Sequence, residues 1–406
     1  MVTILFTWEL GGSLGHVTQI APLVKGLQSA GHHVTVALRE PRRAAGLFDQ
    51  SDTTLLQSPF KPPTANPPIA TPRTFAHVLW NAGFGDPNEL QVLTEAWEKL
   101  LNSVAPDMIV FDHAPTALLA ARGRKVKRVV LGNGFCCPPD CSPLPDLRSW
   151  MPPMPEQLQQ TEQQVLDCMN QVLERRHAAP LERITQLYSQ VDDTFLTTQA
   201  EFDHYPDRTG ARYRGPWPLS GGGTPIWPAG SGKRIYAYLS PFPGLPKVLH
   251  ALQAAGYPTI VSMGAADTNM LTRFNAPNLR FEQQPLDLKR LASECDLAVL
   301  NGNHGTTIAM LLAGKPVLHA PIFLEQGINA VATVRMGAGM IAFPRGVDRT
   351  GEQIAELLNA PKYTEAARQF AAMYANFSPE AEIAQAVQRL NALAASASES
   401  EFKTHC

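Results

Sequence analysis

The sequence predicts two doubly wound α/β domains, each a parallel sheet with helices on its faces. Three observations predict it. Short apolar runs alternate with segments of helical period from the first residues onward. The alternation stops at a Gly-, Pro- and Ser-rich stretch, Arg214 to Lys233 (RGPWPLSGGGTPIWPAGSGK). It then resumes in a second set of similar length. A chain of 406 residues, 44% hydrophobic and 17% charged, can fill two or three cores at roughly 100–200 residues per domain.

The elements follow in order. Val2 to Thr7 (VTILFT) predicts a buried strand. Val17, Ile20, Ala21, Val24 and Leu27 recur at helical spacing, and Gly31 stands where a C-terminal cap belongs. His33 to Leu38 predicts the next strand, completing a βαβ unit and hence a parallel sheet. Asp107 to Phe111 predicts a strand, Thr116 to Arg122 a short helix, and Val126 to Leu131 a strand. Glu156 to His177 and Leu181 to Val191 read as helices, and Thr194 to Thr198 as a strand. In the second set, strands are expected at Arg234–Leu239, Pro258–Met263, Asn278–Glu282, Asp296–Leu300, Pro316–Ala320 and Gly339–Phe343. Helices are expected at Leu245–Ala255, Leu286–Ser293, Gly305–Ala313 and Gln326–Met336, and over most of Gly351–Ala395. The expected division is an N-terminal domain over 1–213, a linker over 214–233 and a C-terminal domain over 234–375. A helix over 376–395 should pack back toward the N-terminal domain, followed by a disordered tail over 396–406. Ligands of such sheets bind beyond the carboxyl ends of the strands, so a central cleft faced by both domains is the expected site.

Composition narrows the function. The formal net charge of −2 argues against a nucleic-acid-binding surface, and the basic run Arg122 to Arg128 reads as a solvated charge run. No apolar stretch reaches the ~18 residues expected of a membrane span, and the N-terminus has no basic region before its short apolar run. A cytoplasmic protein is expected. The six cysteines, at 136, 137, 141, 168, 295 and 406, match no common zinc spacing and read as reduced thiols. Proline is frequent, with 35 residues, and most of the excess lies in Ser58 to Pro87 and Cys137 to Pro155, which read as long loops of the kind that form lids or binding surfaces.

Two junctions carry chemistry. Glu9 to His16 (ELGGSLGH) joins the first strand to the first helix, with Gly11, Gly12, Ser13 and Gly15 ahead of His16. The glycine spacing does not match the dinucleotide fingerprint G-x-G-x-x-G. A helix start favours neutral imidazole, so His16 is a candidate general base, or else a helix cap. Asp112 ends an apolar strand and could hold an imidazole in one tautomer, or cap the next helix; adjacent His113 is a lesser candidate. In the second half, Asn301, Gly302, Asn303, His304, Gly305, Thr306 and Thr307 lie between an apolar strand and a helix. Free N–H groups at a helix start, glycines that let backbone approach closely and threonine hydroxyls make an anion site suited to a diphosphate. Glu325 and Gln326, at the next strand-to-helix junction, can accept from and donate to sugar hydroxyls.

Together these residues resemble the family-1 (UDP-glycosyltransferase-like) nucleotide-sugar glycosyltransferases of the GT-B fold. The resemblance spans nearly the whole chain and is strongest from Asn278 to Gly339. There Gln284, the loop Asn301 to Thr307, Glu325-Gln326 and Asn329 follow the family's pattern of Gln, H-G-G-x-G-T/S, D-Q and N. In the first half, GGSLGHV resembles the family's glycine loop, whose His corresponds to His16 and whose orienting Asp would be Asp112. The resemblance implies an inverting, metal-independent transfer of a sugar from a UDP- or dTDP-sugar co-substrate to a hydroxyl of a small-molecule or lipid-linked acceptor. No resident cofactor is implied. It also implies that Asn301, standing where the family has His, contacts the diphosphate, so that Asn301→His should strengthen diphosphate binding. Alanine at position 309 replaces a ribose-binding Glu of plant-type members. No Asp-x-Asp metal motif occurs, and Asp192-Asp193 before a strand reads as a turn. Two other readings of the same residues are a nucleotide-sugar epimerase or hydrolase, and a non-catalytic nucleotide-sugar-binding partner of another transferase.

Overall fold

The computed structural model describes residues 1–12, 15–44, 46–48, 53–61, 68–217, 221–264, 268–343 and 346–402. The chain divides into two compact units: Met1–Trp217 with Ser378–Cys406, and Pro218–Phe377.

The first unit is built on a six-stranded sheet. Its strands are β1 (Thr3–Trp8), β2 (His33–Leu38), β3 (Thr53–Gln57), β4 (Met108–Asp112), β5 (Lys127–Gly132) and β6 (Asp193–Leu196). They lie in the order β3-β2-β1-β4-β5-β6, every neighbouring pair parallel. All five residues of β4 and the last five of β1 are buried, because helices cover both faces of a parallel sheet. The helix Gly15–Ser29 buries Val17, Ile20, Leu23, Val24 and Leu27 as one stripe. It ends ahead of Gly31, whose φ of +85° is the left-handed turn a glycine permits. The C-terminal helix Pro379–Phe402 packs on it. A Cβ at Gly26 would come within 2.6 Å of Val387 Cγ2, so the missing side chain lets the two helices approach. Asn391 bonds His32 at 2.9 Å and Arg389 donates to Asp193 at 2.6 Å, fixing the same contact.

The second unit repeats the topology. Its strands are β7 (Ile235–Tyr238), β8 (Thr259–Ser262), β9 (Leu279–Glu282), β10 (Leu297–Leu300), β11 (Val317–His319) and β12 (Gly339–Ile341). They lie in the order β12-β11-β10-β7-β8-β9, all parallel. Counted from the first strand of each unit, the two orders are the same. In both, the order reverses between the first and fourth strands, at β1/β4 and at β7/β10. That reversal opens a crevice at the carboxyl ends of those strands.

Several expectations are corrected. Thr53–Gln57 and the helix Pro87–Val104 were not expected from the pattern; Asp86 caps that helix with its carboxylate. Leu181–Val191 holds only one short helical turn, Gln186–Ser189. The Pro-rich segment Ser58–Pro87 is not all loop: Thr74 caps a helix, Phe75–Leu79, which continues as a wider turn, Trp80–Phe84. Within the stretch expected as a linker, Arg214 donates its N–H to Leu196 and Trp217 is buried, while Gly223 pairs with the Pro285–Asp287 segment. The terminal helix runs to Phe402, so 396–402 is helical where a disordered tail was expected, and 403–406 lies outside the described residues. No described helix is long and apolar enough to cross a membrane.

Candidate active site

In the first unit the crevice end of the sheet gathers His16, Asp112, His113, Trp8 and Glu9. Trp8 and Asp112 are register partners at the ends of β1 and β4, so the residues after them emerge side by side. His16 Nδ1 lies 2.9 Å from Asp112 Oδ1. Asp112 is 1% exposed and keeps its other oxygen, Oδ2, without a hydrogen-bond partner. The imidazole is held between two rings: Trp8 at 5.4 Å and His113 at 5.9 Å between centroids, both stacked. With Nδ1 directed at a carboxylate, Nε2 is the nitrogen left for proton transfer. Gly11 stands over that atom. It has φ +87°, and a Cβ there would sit 2.6 Å from His16 Nε2. Gly12 is exposed and Ser13 lies outside the described residues; Gly15 opens the helix that carries His16.

His113 is buried and adopts φ +43°, an uncommon backbone for a non-glycine residue. Burial first, then the neighbouring His16 and Arg39, push its pKa down to about 3, so it is a neutral ring wall beside His16. Glu9 was not singled out by motif reasoning. Its carboxylate is 1% exposed and accepts the N–H of Thr116 at 3.0 Å and of Ala117 at 3.4 Å. Burial raises its pKa to about 7 against the lowering effect of those bonds. The only sequence signal was an acid directly after an apolar strand, in a stretch read for its glycines.

The two Pro-rich segments of this unit are tied together. Arg73, 4% exposed, forms a bidentate pair with Asp146, and Arg148 donates to Pro72 O at 2.9 Å. The loop Cys137–Pro155 is anchored by Glu162, which accepts the N–H of Leu144 at 2.7 Å. Cys136, Cys137, Cys141, Cys168 and Cys295 are free thiols, with burial pushing the Cys137 thiol far up; Cys406 lies outside the described residues.

In the second unit, β10 delivers the loop Asn301–Asn303 to the helix His304–Leu312. Asn303 is the N-cap residue, and its side chain makes no cap bond to the helix. Gly302 has φ +92°, and a Cβ on it would meet Gln326 O at 2.6 Å. The glycine thus lets the loop close onto the start of the next helix, Leu324–Arg335. Asn329 joins these pieces: its Nδ2 donates to Gly302 O at 3.0 Å and its Oδ1 faces His304 Nδ1 at 3.4 Å.

The side chain of Asn301 does something other than the expected diphosphate contact. It is 0% exposed, accepts the N–H of Ser240 at 2.6 Å and donates to Ala320 O at 2.7 Å. It therefore brackets the ends of β7, β10 and β11, and all its strong bonds are made within the scaffold. Thr306 is half-buried, whereas Thr307 is fully buried with an unpartnered hydroxyl. Gly305 is half-buried at the helix start. Gln326 Oε1 accepts the N–H groups of Ile322 (2.9 Å) and Phe323 (3.3 Å), capping its own helix, while Glu325 is half-buried beside it. Gln284 is exposed, two residues beyond β9. The structure thus brings together His16 with Asp112, and Gly302 with His304, Gln326 and Asn329.

Comparison with known proteins bears on this arrangement. Residues 247–390 match the model of the erythromycin biosynthesis protein CIII-like C-terminal domain. A PGL/p-HBAD biosynthesis glycosyltransferase of Mycobacterium tuberculosis is 27% identical over 317 residues, 71% of each chain. The elloramycin glycosyltransferase of Streptomyces olivaceus is 36% identical over 124 residues, 29% of this chain and 30% of that one. Among solved structures, the calicheamicin glycosyltransferase CalG4 superposes with a TM-score of 0.70 at 18% identity, covering 97% of this chain and 98% of that one. SnogD from Streptomyces nogalater does so with a TM-score of 0.64 at 21% identity, covering 97% and 100%. The fold is GT-B, and the relatives mark the chain as a glycosyltransferase, an enzyme that transfers a sugar. The chain is similar to family-1-like glycosyltransferases, with the EryCIII-like match confined to residues 247–390. The readings as epimerase, hydrolase or silent binding partner are not favoured.

Proposed function

We propose that this glycosyltransferase moves a sugar from a UDP- or dTDP-sugar to an acceptor hydroxyl with inversion and without a metal ion. The observation that carries it is the 2.9 Å contact between His16 Nδ1 and buried Asp112. His16 Nε2 takes the acceptor's proton as the acceptor oxygen bonds to the anomeric carbon, and the bond from that carbon to the diphosphate breaks. Asp112 stabilises the imidazolium that forms, without itself being protonated. The start of the helix His304–Leu312 holds the departing diphosphate through its backbone N–H groups and dipole, supplying the electrostatic stabilisation that a cation gives elsewhere. Thr306 adds a hydroxyl, and Glu325 with the amide of Gln326 faces the donor sugar. Two structural neighbours support the donor class: VinC and SsfS6 were each solved with thymidine diphosphate. The acceptor is a small molecule or a lipid-linked one, met on the first unit near the Pro-rich segments tied by Arg73 and Asp146. The protein acts in the cytoplasm, where nucleotide sugars are made.

The test is His16→Ala, followed by release of nucleoside diphosphate in the presence of an acceptor panel. Transfer should fall by at least ~10²-fold, the scale of general-base catalysis, while calorimetric affinity for the nucleotide stays within about twofold. Wild-type turnover in that variant would remove His16 as the base.

A further inference from the structure

We infer that Glu9 is a positioning residue for the base: its buried carboxylate clamps the turn that carries Asp112 and His113 onto the end of β1. The inference rests on the proposed role of His16. Three observations carry it. First, Glu9 reaches across the strand-order reversal, from the end of β1 to the turn that follows β4. Its Oε2 accepts two successive N–H groups, Thr116 and Ala117, in the first turn of the helix Pro115–Ala121 that leaves this turn. Second, the adjacent backbone repeats the tie, because Leu10 N–H donates to His113 O at 3.0 Å. Third, the turn being held is one that strains the chain. His113 sits at φ +43°, and such a residue keeps that backbone only where its surroundings over-determine it.

The consequence falls on His16. Both groups that orient its ring from the β4 side, the Asp112 carboxylate and the His113 ring, belong to the clamped turn. The group on its other face, Trp8, immediately precedes Glu9. One carboxylate therefore lies next in the chain to Trp8 and bonds just beyond Asp112 and His113. It also supplies a carboxylate to the start of Pro115–Ala121, where the first N–H groups have no partner within the helix.

The clamp is sensitive to proton uptake. The ionisable groups of the layer around Glu9 are Arg39 beyond β2, His16 on the first helix, Asp112 and His113 beyond β4, and Tyr188 on the turn Gln186–Ser189. Burial brings the Glu9 pKa to about 7. Ionisation strengthens both bonds to the turn, because charge-assisted hydrogen bonds exceed neutral ones. Turnover should then rise with pH through this ionisation.

The experiment compares wild type, Glu9→Gln, Glu9→Ala and His16→Ala, using a nucleotide sugar and an accepted hydroxyl compound. Glu9→Gln keeps the shape and an acceptor oxygen. It should lower kcat by about 10- to 100-fold, the scale of a misplaced catalytic group, with donor KM unchanged. It should also remove the ionisation near neutrality from the kcat–pH profile, which loss of stability alone does not do. Glu9→Ala should fall further or fail to fold, and the Gln variant decides the matter in either case. If Glu9→Gln shows wild-type kcat and an unchanged profile while His16→Ala is inactive, the positioning role is overturned. If His16→Ala itself remains active, the base assignment fails first and Glu9 has nothing to position.

Discussion

At the scale of single residues, the site is made of side chains whose freedom has been removed. His16 lies between Trp8 and His113 and is bonded to Asp112, so its ring cannot rotate without losing stacked area and a charge-supported bond. Gly11 matters for the same reason: a methyl group at that position would collide with Nε2. Gly11→Ala should therefore lower kcat at least ~10-fold, through strain at φ +87° and displacement of the ring, with unchanged nucleotide affinity in a calorimetric titration. Asn301 gives the opposite lesson. Its position in the motif pointed to the diphosphate, yet its amide holds Ser240 and Ala320. Asn301→Ala would leave the buried carbonyl of Ala320 without a partner, at about 1–3 kcal/mol, and would release the Ser240 N–H. A fall in melting temperature is the expected readout, and Asn301→His should lower stability too, because no free volume surrounds a 0% exposed amide.

At the scale of elements, the helix His304–Leu312 separates two threonines that look equivalent in the sequence. Thr306 is half-buried at the open end of the helix, and Thr307 is sealed into the core with an unpartnered hydroxyl. Thr306→Ala should weaken nucleoside diphosphate binding several-fold in calorimetry. Thr307→Val should leave binding unchanged and raise the melting temperature, because exchanging an unsatisfied buried hydroxyl for a methyl group removes a desolvation cost. Weaker binding by Thr307→Val would mean that its hydroxyl reaches the ligand. The following helix contributes through its first turn, where Gln326 caps its own N-terminus and Asn329 holds Gly302 and His304. Motif spacing put these residues in one site; which of them faces a ligand depended on how each side chain satisfied its nearest backbone.

At the scale of the whole molecule, buried ionisable groups set how stability varies with acidity. His113 and His319 are held neutral by burial, each with its pKa lowered from 6.5 to about 3. As the pH falls below 6.5, the unfolded chain gains protons that the folded chain refuses, so both groups remove stability on acidification. Glu9 acts in the other direction. Its pKa rises from 4.5 to about 7, so it favours the folded state below the lower value and loses that contribution as pH rises toward the upper one. Between these limits two histidines oppose one carboxyl, and the net effect is loss of stability on going from pH 6.5 toward 4.5. Glu9→Gln should steepen that acid-side fall in melting temperature, by about 1.4 kcal/mol per pH unit in stability. A fall no steeper than that of the wild type would show that Glu9 titrates normally.

The sequence by itself determined the two α/β units, because the alternation of apolar runs and helical stripes encodes a parallel sheet wherever it is repeated. It also placed glycines, threonines and a histidine at strand-to-helix turns, where the structure puts them too. It did not reveal Thr53–Gln57 as a strand, because TTLLQ is short and only partly buried at an edge. Nor did it reveal Glu9, whose partners are 107 and 108 residues away. Tertiary structure alone decided which polar side chains are bonded within the scaffold. A side chain's hydrogen bonds go to whichever groups folding brings within about 3 Å, and for Asn301 and Glu9 those groups lie on strands and turns far away in the chain.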